Sequence, residues 1–265
     1  KAAWWWARKA YAPFDAFFVA SRRVGEYMMQ HGFSRLYYTP LGVDTDLYHP
    51  DHRDASLNER LKAGHPDRLI LFFPHRLSDE KGLGVILAAY PKLVEMLPYP
   101  PALVFAGVGP RQNDVEKAAR RFPHVHYIGY IDRPHDFARW YASCDLAVAL
   151  SAFETFGLSA AEAMASGLAL VGADENGSAE LIESSGCGLT IPYGDIDALV
   201  SAIGRLVEEK KLKERGMRGR NYVSRFTWEN TFNTEIACYH DIIRAIHDGK
   251  SIRKEFHNLT QVDTG

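Results

Sequence analysis

Between residues 67 and 191 the chain repeats one unit: a short apolar run, a turn marked by glycine, proline or polar residues, then a helical pattern. The apolar runs fall at 69–73, 102–106, 125–128, 146–150, 169–172 and 188–191, with helical patterns at 82–97, 111–122, 134–143, 158–166 and 178–184 between them. Short apolar runs alternating with amphipathic helices predict βαβ units, and a series of these predicts an α/β fold with a doubly wound parallel sheet. In such a sheet ligands bind at the carboxyl ends of the strands. The loops that leave the six runs are therefore where chemistry is sought.

The flanks read differently. Residues 1–50 give a helix (2–11), a strand (16–20), a helix (22–31) and a strand (35–39). Two such units cannot cover both faces of a parallel sheet, so this segment is expected to be the remnant of an N-terminal domain begun elsewhere. The chain opens at Lys1 inside a helix-like segment, and upstream sequence is expected to be missing. Residues 51–66, mixed in Asp, His, Pro, Gly and Arg, are expected to be a linker. After 191, helical patterns at 195–207, 211–226 and 228–246 make a helical tail, so the main domain is expected to span 67–265.

Composition removes some classes of function. With 31 Lys and Arg against 33 Asp and Glu, there is no overall basic field for nucleic acid. No run approaches the ~18–20 apolar residues that cross a bilayer, and no signal peptide is visible, which predicts a cytoplasmic protein. Cys144, Cys187 and Cys238 lie in apolar segments without paired spacing, as buried thiols in a reducing compartment do.

The densest chemistry lies between Ser151 and Gly167. Glu154 and Glu162 flank a Phe156-Gly157-Leu158 turn that opens a helix after the fourth apolar run. A strand-to-helix turn presents backbone N–H groups and the positive end of the helix dipole, which suits a phosphate. Carboxylates beside it repel a phosphate and accept hydrogen bonds from sugar hydroxyls. Phosphate and polyol together indicate a nucleotide sugar. The first strand runs into Arg76 and Lys81, which lean over the same crevice if the two loops share a sheet edge; otherwise they are a solvated charged loop. Two fixed cations there can hold a diphosphate and stabilise charge growing on it. Gly107 and Gly109 end the second strand and allow either close backbone approach by a ligand or a tight turn into a helix headed by Pro110. The loop after the third strand, Tyr130-Ile131-Asp132-Arg133, is either a surface for a flat base or a plain connection. Near Asn176 and Gly177 another helix start is offered, with Ser178 as its expected cap.

These residues, in this order, resemble the retaining nucleotide-sugar glycosyltransferases of family 4, whose glycosyltransferase-B fold pairs two Rossmann-like domains. The resemblance begins with the segments around Asp15 and Leu41-Gly42-Val43-Asp44. It continues through Arg76, Glu80-Lys81-Gly82, Gly107-Val108-Gly109-Pro110, Gly129-Tyr130, Glu154 and Glu162 (an E-x7-E element), and Asn176 to Glu180, and closes at Phe226 to Glu229. It implies that Arg76 and Lys81 bind the donor diphosphate, Glu154 holds the transferred sugar and Glu162 holds the ribose. Backbone amides of Phe156, Gly157 and Leu158 would contact sugar and phosphate, with Gly107 beside the ligand and Tyr130, Ile131 and Arg133 near the base. Glu154, Arg76 and Lys81 would carry catalysis, without metal or cofactor, on a UDP- or GDP-sugar. The acceptor would be a hydroxyl of a carbohydrate, lipid or small molecule. Three departures stand out: His75 in place of a small residue, Leu168 in place of a proline, and the absence of most of the N-terminal domain. The last keeps open the alternative of a non-catalytic nucleotide-sugar-binding module or inactive fragment, and an epimerase or phosphorylase on the same fold is a further rival.

Other features have plainer readings. Trp4-Trp5-Trp6 beside Arg8 and Lys9 is either covered by other sequence or a peripheral contact with the inner face of a membrane. Asp44 and Asp46 follow the crossing segment and are not read as metal ligands, nor are His124 and His126, which lack a third partner. The basic cluster from Lys210 to Arg220 is interleaved with Glu208, Glu209 and Glu214 and is expected to be a solvated helix face.

Overall fold

The computed structural model describes residues 2–249. The chain opens with α1 (Ala2–Ala10), β1 (Phe17–Val19), α2 (Arg22–Gln30) and β2 (Leu36–Tyr38). The two strands pair in parallel, Phe17 opposite Leu36 and Val19 opposite Tyr38. Ser21 caps α2 by accepting the Val24 N–H at 3.3 Å.

A 3-10 turn (Pro50–His52) and α3 (Ala55–Lys62) follow. The stretch expected to be a linker is thus ordered, and its polar residues make caps and ties. Asp54 accepts the Leu57 N–H at 3.0 Å, and Asn58 donates through Nδ2 to the Ser143 carbonyl at 2.8 Å, while Leu57 and Leu61 are buried.

The main sheet contains β3 (Ile70–Pro74), β4 (Ala102–Ala106), β5 (Val125–Tyr127), β6 (Leu146–Ala149), β7 (Ala169–Ala173) and β8 (Gly188–Ile191). Its order is β5-β4-β3-β6-β7-β8, and every neighbouring pair is parallel. The connecting helices are α4 (Leu83–Met96), α5 (Gln112–Arg121), α6 (Pro134–Ser143), α7 (Leu158–Ala165) and α8 (Gly177–Ser185), followed by α9 (Ile196–Glu208) and α10 (Leu212–Val223). Successive side chains of β3 point to opposite faces. Leu71 and Phe73 pack into a core with Leu83, Ile86, Tyr90, Leu103 and Phe105, to which α9 adds Leu199, Ile203 and Leu206. Phe72 faces the other way and meets Tyr141 edge-on at 4.9 Å. A strand buried on both faces needs helices on both sides, and α4 and α6 supply them.

The last described helix, α11 (Trp228–His247), falls in the stretch that the sequence assigns to the tail of the sheet domain. In the structure it belongs with the first segment. Thr231 donates to the Pro40 carbonyl at 2.8 Å, and Cys238 and Ile242 pack with Tyr37. The chain accordingly forms two compact units: residues up to Gly42 with those from Phe226 onward, and Val43–Arg225. No described helix is long and apolar enough to cross a membrane. Trp4 packs edge-on against Tyr27 and Phe33, whereas Trp5 and Trp6 are 48% and 68% exposed.

Candidate active site

The strand order places a topological switch between β3 and β6. The chain leaves β3 towards β4 on one side and leaves β6 towards β7 on the other, so the loops after β3 and β6 diverge and a crevice opens at their carboxyl ends. Arg76 and Lys81 lie on the first loop, and Glu154 lies on the second.

The two loops are tied together. Ala152 N–H donates to the Glu80 carbonyl at 2.8 Å, and Lys81 Nζ pairs with Glu154 Oε2 at 3.0 Å. From the far side, Gly177 N–H donates to the Glu154 carbonyl at 2.8 Å, and Asn176 Nδ2 donates to the Ser151 carbonyl at 2.8 Å. Asn176 is also the cap of α8, accepting the Ala179 N–H at 3.0 Å. Ser178, the expected cap, instead donates to Asn176 Oδ1 at 2.7 Å.

Gly157 precedes α7 with φ 98°, and a Cβ there would lie 2.6 Å from the Ser178 Cβ. Only glycine takes that conformation and clearance together. The turn delivers the Leu158 end of α7 to the crevice. Phe156 and Gly157 are buried, and the Phe156 side chain belongs to the core, whereas Leu158 is exposed.

Glu162 lies one turn into α7. Tyr141 Oη donates to Glu162 Oε2 at 3.0 Å, and the Tyr48 phenol lies beside the same carboxylate. Burial raises the pKa of Glu162, and the two neighbouring phenols oppose the rise by stabilising the charged form. The same burial, together with the nearby carboxylate, pushes both phenols up, so they remain donors.

His75 is buried and donates from Nε2 to the Val148 carbonyl at 2.9 Å, which leaves Nδ1 as acceptor for the Ser159 hydroxyl at 3.4 Å. Burial lowers its pKa to about 4, with the Lys81 charge acting in the same direction and the Val148 bond against it. This departure from the family pattern adds no free donor: its one proton is committed to the β6 backbone.

Beside these groups lies a cleft of about 810 Å³. Its walls include Tyr48, His75, Arg76, Gly107, Val108, Tyr130, Ile131, Asp132 and Phe137. Gly107 lies against the His75 carbonyl, where a Cβ would collide. Of the residues that the resemblance assigns to the donor, Arg76, Gly107, Tyr130 and Ile131 line this cleft. Glu162 borders it through Tyr48, while Lys81 and Glu154 form their own half-buried pair at the switch. Arg133 is exposed, precedes α6 and is not among the lining residues. Among the described residues, no group of three or more His, Cys, Asp or Glu side chains is gathered as a metal site. Asp44 Oδ1 accepts the N–H groups of Asp46 and Leu47 at 3.1 and 2.8 Å, closing a turn.

Sequence reasoning did not assign Tyr48, Tyr141 or Arg220 to the site. Arg218 behaves as the solvated-face reading expects, pairing with Glu214 at 2.6 Å. Arg220 turns inward instead, and its guanidinium donates to the carbonyls of Thr45, Tyr48 and Ala165, fixing the segment that carries Tyr48. Nothing in the charge pattern separates these two arginines.

A family model described as "Glycosyl transferases group 1" matches residues 57–221. Over 221 residues the chain is 28% identical to sulfoquinovosyl transferase SQD2 of Arabidopsis thaliana, covering 81% of this chain and 42% of that protein. Over 200 residues it is 30% identical to the GDP-mannose-dependent alpha-(1-6)-phosphatidylinositol dimannoside mannosyltransferase of Mycobacterium tuberculosis, covering 75% and 50% respectively. The fold is shared with the crystal structure of Anabaena Alr3699/HepE in complex with UDP and glucose, at TM-score 0.68 and 22% identity, covering 86% of this chain and 63% of that one. The chain spans about half the length of these two curated relatives.

Proposed function

This chain belongs to the group 1 glycosyl transferases, and from that membership we propose that it is the donor-binding part of a glycosyltransferase that uses a UDP- or GDP-sugar. The sugar passes to an acceptor hydroxyl of a carbohydrate, lipid or small molecule, with retention at the anomeric carbon. The observation that supports this reading is the convergence at one switch point of two cations, Arg76 and Lys81, with two carboxylates, Glu154 and Glu162, beside a cleft of about 810 Å³.

Each group has a task in the proposal. Arg76 and Lys81, with the N-terminal end of α7, hold the diphosphate and stabilise the charge it gains as the glycosidic C–O bond breaks. Glu154 accepts hydroxyls of the transferred sugar and Glu162 those of the ribose. The base lies along Tyr130 and Ile131. The acceptor oxygen bonds to the anomeric carbon on the face the diphosphate leaves, and a departing phosphate oxygen takes the acceptor proton. We assign charge neutralisation to these side chains, with no metal or organic cofactor in the scheme. The name of the mycobacterial relative, a phosphatidylinositol dimannoside mannosyltransferase, supports a lipid-linked acceptor as one member of the class. The same reading has a cytoplasmic enzyme with a peripheral contact at the inner membrane face. Exposed Trp5 and Trp6, with Lys9 Nζ 4.3 Å above the Trp5 ring, support that contact.

Calorimetric titration with UDP, GDP and their sugars tests the donor assignment. Saturable binding of one diphosphate is expected, and no binding of any would overturn it. Proton NMR of the product formed from an α-linked donor tests the stereochemistry: an α-glycoside is expected, and a β-glycoside refutes retention.

A further inference from the structure

Glu162 is not a lone carboxylate. It is the centre of a three-residue cluster drawn from three separate parts of the sheet unit. Tyr141 comes from the end of α6 and is fully buried, clamped by edge-on contacts with Phe72 and Phe137, both at 4.9 Å. Its phenol lies 3.0 Å from Glu162 Oε2 and 3.3 Å from the Ser159 carbonyl. With one proton to give, the phenol gives it to the carboxylate, the stronger acceptor. Tyr48 comes from the segment ahead of α3, and its ring stands at 89° to the Tyr141 ring with centroids 5.5 Å apart. Its phenol lies beside Glu162, where it favours the ionised carboxylate, while its side chain lines the cleft. The Tyr48 carbonyl is held by Arg220 Nη1 at 3.1 Å. Neither tyrosine therefore has freedom to turn away.

The count of acceptor sites gives this cluster a meaning. An ionised carboxylate offers about four lone-pair sites. The Tyr141 phenol takes one and the Tyr48 phenol stands beside another, and the pair that remains matches two hydroxyls on adjacent carbons. We propose that Tyr48 and Tyr141 are positioning residues that aim Glu162, fixing its carboxylate so that its remaining acceptor sites face the vicinal hydroxyls of the donor's ribose. This rests on the reading of Glu162 as the ribose holder. Its consequence is selectivity for ribonucleotide over deoxyribonucleotide donors, built from residues that never touch the phosphate.

The test is calorimetry on the chain with UDP, 2′-deoxy-UDP, GDP and 2′-deoxy-GDP, and the readout is the ratio of deoxy to ribo dissociation constants. For the base that binds, the unaltered protein should prefer the ribonucleotide roughly tenfold or more, the effect of a hydrogen bond to a charged group. Glu162→Gln should bring the ratio close to one. Tyr48→Phe and Tyr141→Phe should each lower it by about threefold or more, as a carboxylate freed to rotate loses its aim. A purely structural role would weaken both nucleotides equally and leave the ratio unchanged. A full ratio in both phenylalanine variants, with collapse in Glu162→Gln, overturns the positioning role and leaves the ribose reading intact. Equal affinity for ribo and deoxy forms in the unaltered protein overturns the ribose reading itself. Should Tyr141→Phe fail to fold, Tyr48→Phe at the cleft wall decides the matter alone.

Discussion

Replacing Lys81 by methionine separates what this residue does for the fold from what it does for a diphosphate. Lys81 and Glu154 stand 3.0 Å apart, with side chains 25% and 22% exposed. At an effective dielectric near 20, the gross attraction at this distance is roughly 5 kcal/mol, most of it cancelled by lost hydration and side-chain ordering. Exposed pairs net about 1 kcal/mol or less, and breaking a fully buried pair costs about 3–5 kcal/mol. A pair three-quarters covered falls between, at about 1–2 kcal/mol. Lys81→Met should therefore lower the melting temperature by roughly 2–8 °C, taking about 2–4 °C per kcal/mol for a chain of this size. Its effect on UDP or GDP affinity should be larger. The variant loses a charge-assisted bond worth about 1.5–3 kcal/mol, roughly tenfold to a hundredfold in affinity, and leaves an unpaired carboxylate facing the anion. The double substitution Lys81→Met with Glu154→Gln removes that stranded charge, so thermal stability should recover while diphosphate affinity recovers only in part. Calorimetry and thermal denaturation on the three proteins check the order: unaltered, double, then single in affinity; unaltered, about equal to double, then single in stability. A double variant that regains stability and binds UDP and GDP as tightly as the unaltered protein would refute the contact between Lys81 and the diphosphate.

Two further predictions concern the frame around the site. His75 is held near pKa 4 against an ordinary 6.5, so the unfolded chain takes up the proton first as pH falls. The stability contributed by the neutral imidazole is thus full above pH 6.5 and is lost progressively down to about 4, a change on the order of 3 kcal/mol. Urea denaturation across that range should show a steeper loss than in His75→Gln, and equal slopes would contradict the buried neutral histidine. Gly157→Ala forces a side chain into φ 98° and against Ser178, which should cost about 1–3 kcal/mol and disturb the start of α7. Lower melting temperature together with weaker nucleotide binding is the expected pair of changes, and an unshifted melting temperature would argue that the turn relaxes freely.

Residues local to one loop were legible in the sequence, and residues brought in from elsewhere were not. The runs at 102–106 and 188–191 are strands β4 and β8, and the pattern at 134–143 is α6, with the same limits; the other strands and the helices between them shift by one residue at their ends, while α10 stops three residues short of 226. A buried parallel strand is apolar throughout, so its pattern is strong. Capping was harder to read. Asn176 and Ser178 are both good cap residues, and the choice between them depends on the Asn176 bond to Ser151, a contact across loops. The same distinction explains residues 51–66, where Asp, Asn and His look like a linker until Ser143 supplies the partner that makes Asn58 a buried tie.

The site itself depends on a fact that no single motif contains. Arg76 and Lys81 follow one strand, Glu154 follows another, and they share a crevice because β3 and β6 are neighbours although two strands intervene in sequence. A sheet ordered by sequence would place β4 beside β3 on one side and no switch at β6, and the Lys81–Glu154 pair would not form. Adjacency in the sheet thus converts two charged loops, each plausible as a solvated turn, into one polar centre. The tyrosines extend this argument by one layer. Tyr141 sits on the buried face of α6 because Phe72 of β3 needs an aromatic partner there, and the same position brings its phenol to Glu162. In sequence it is indistinguishable from a core aromatic, since it is one. Packing and recognition use opposite ends of the same side chain, so the ring is explained by the core and the hydroxyl only by the carboxylate it meets.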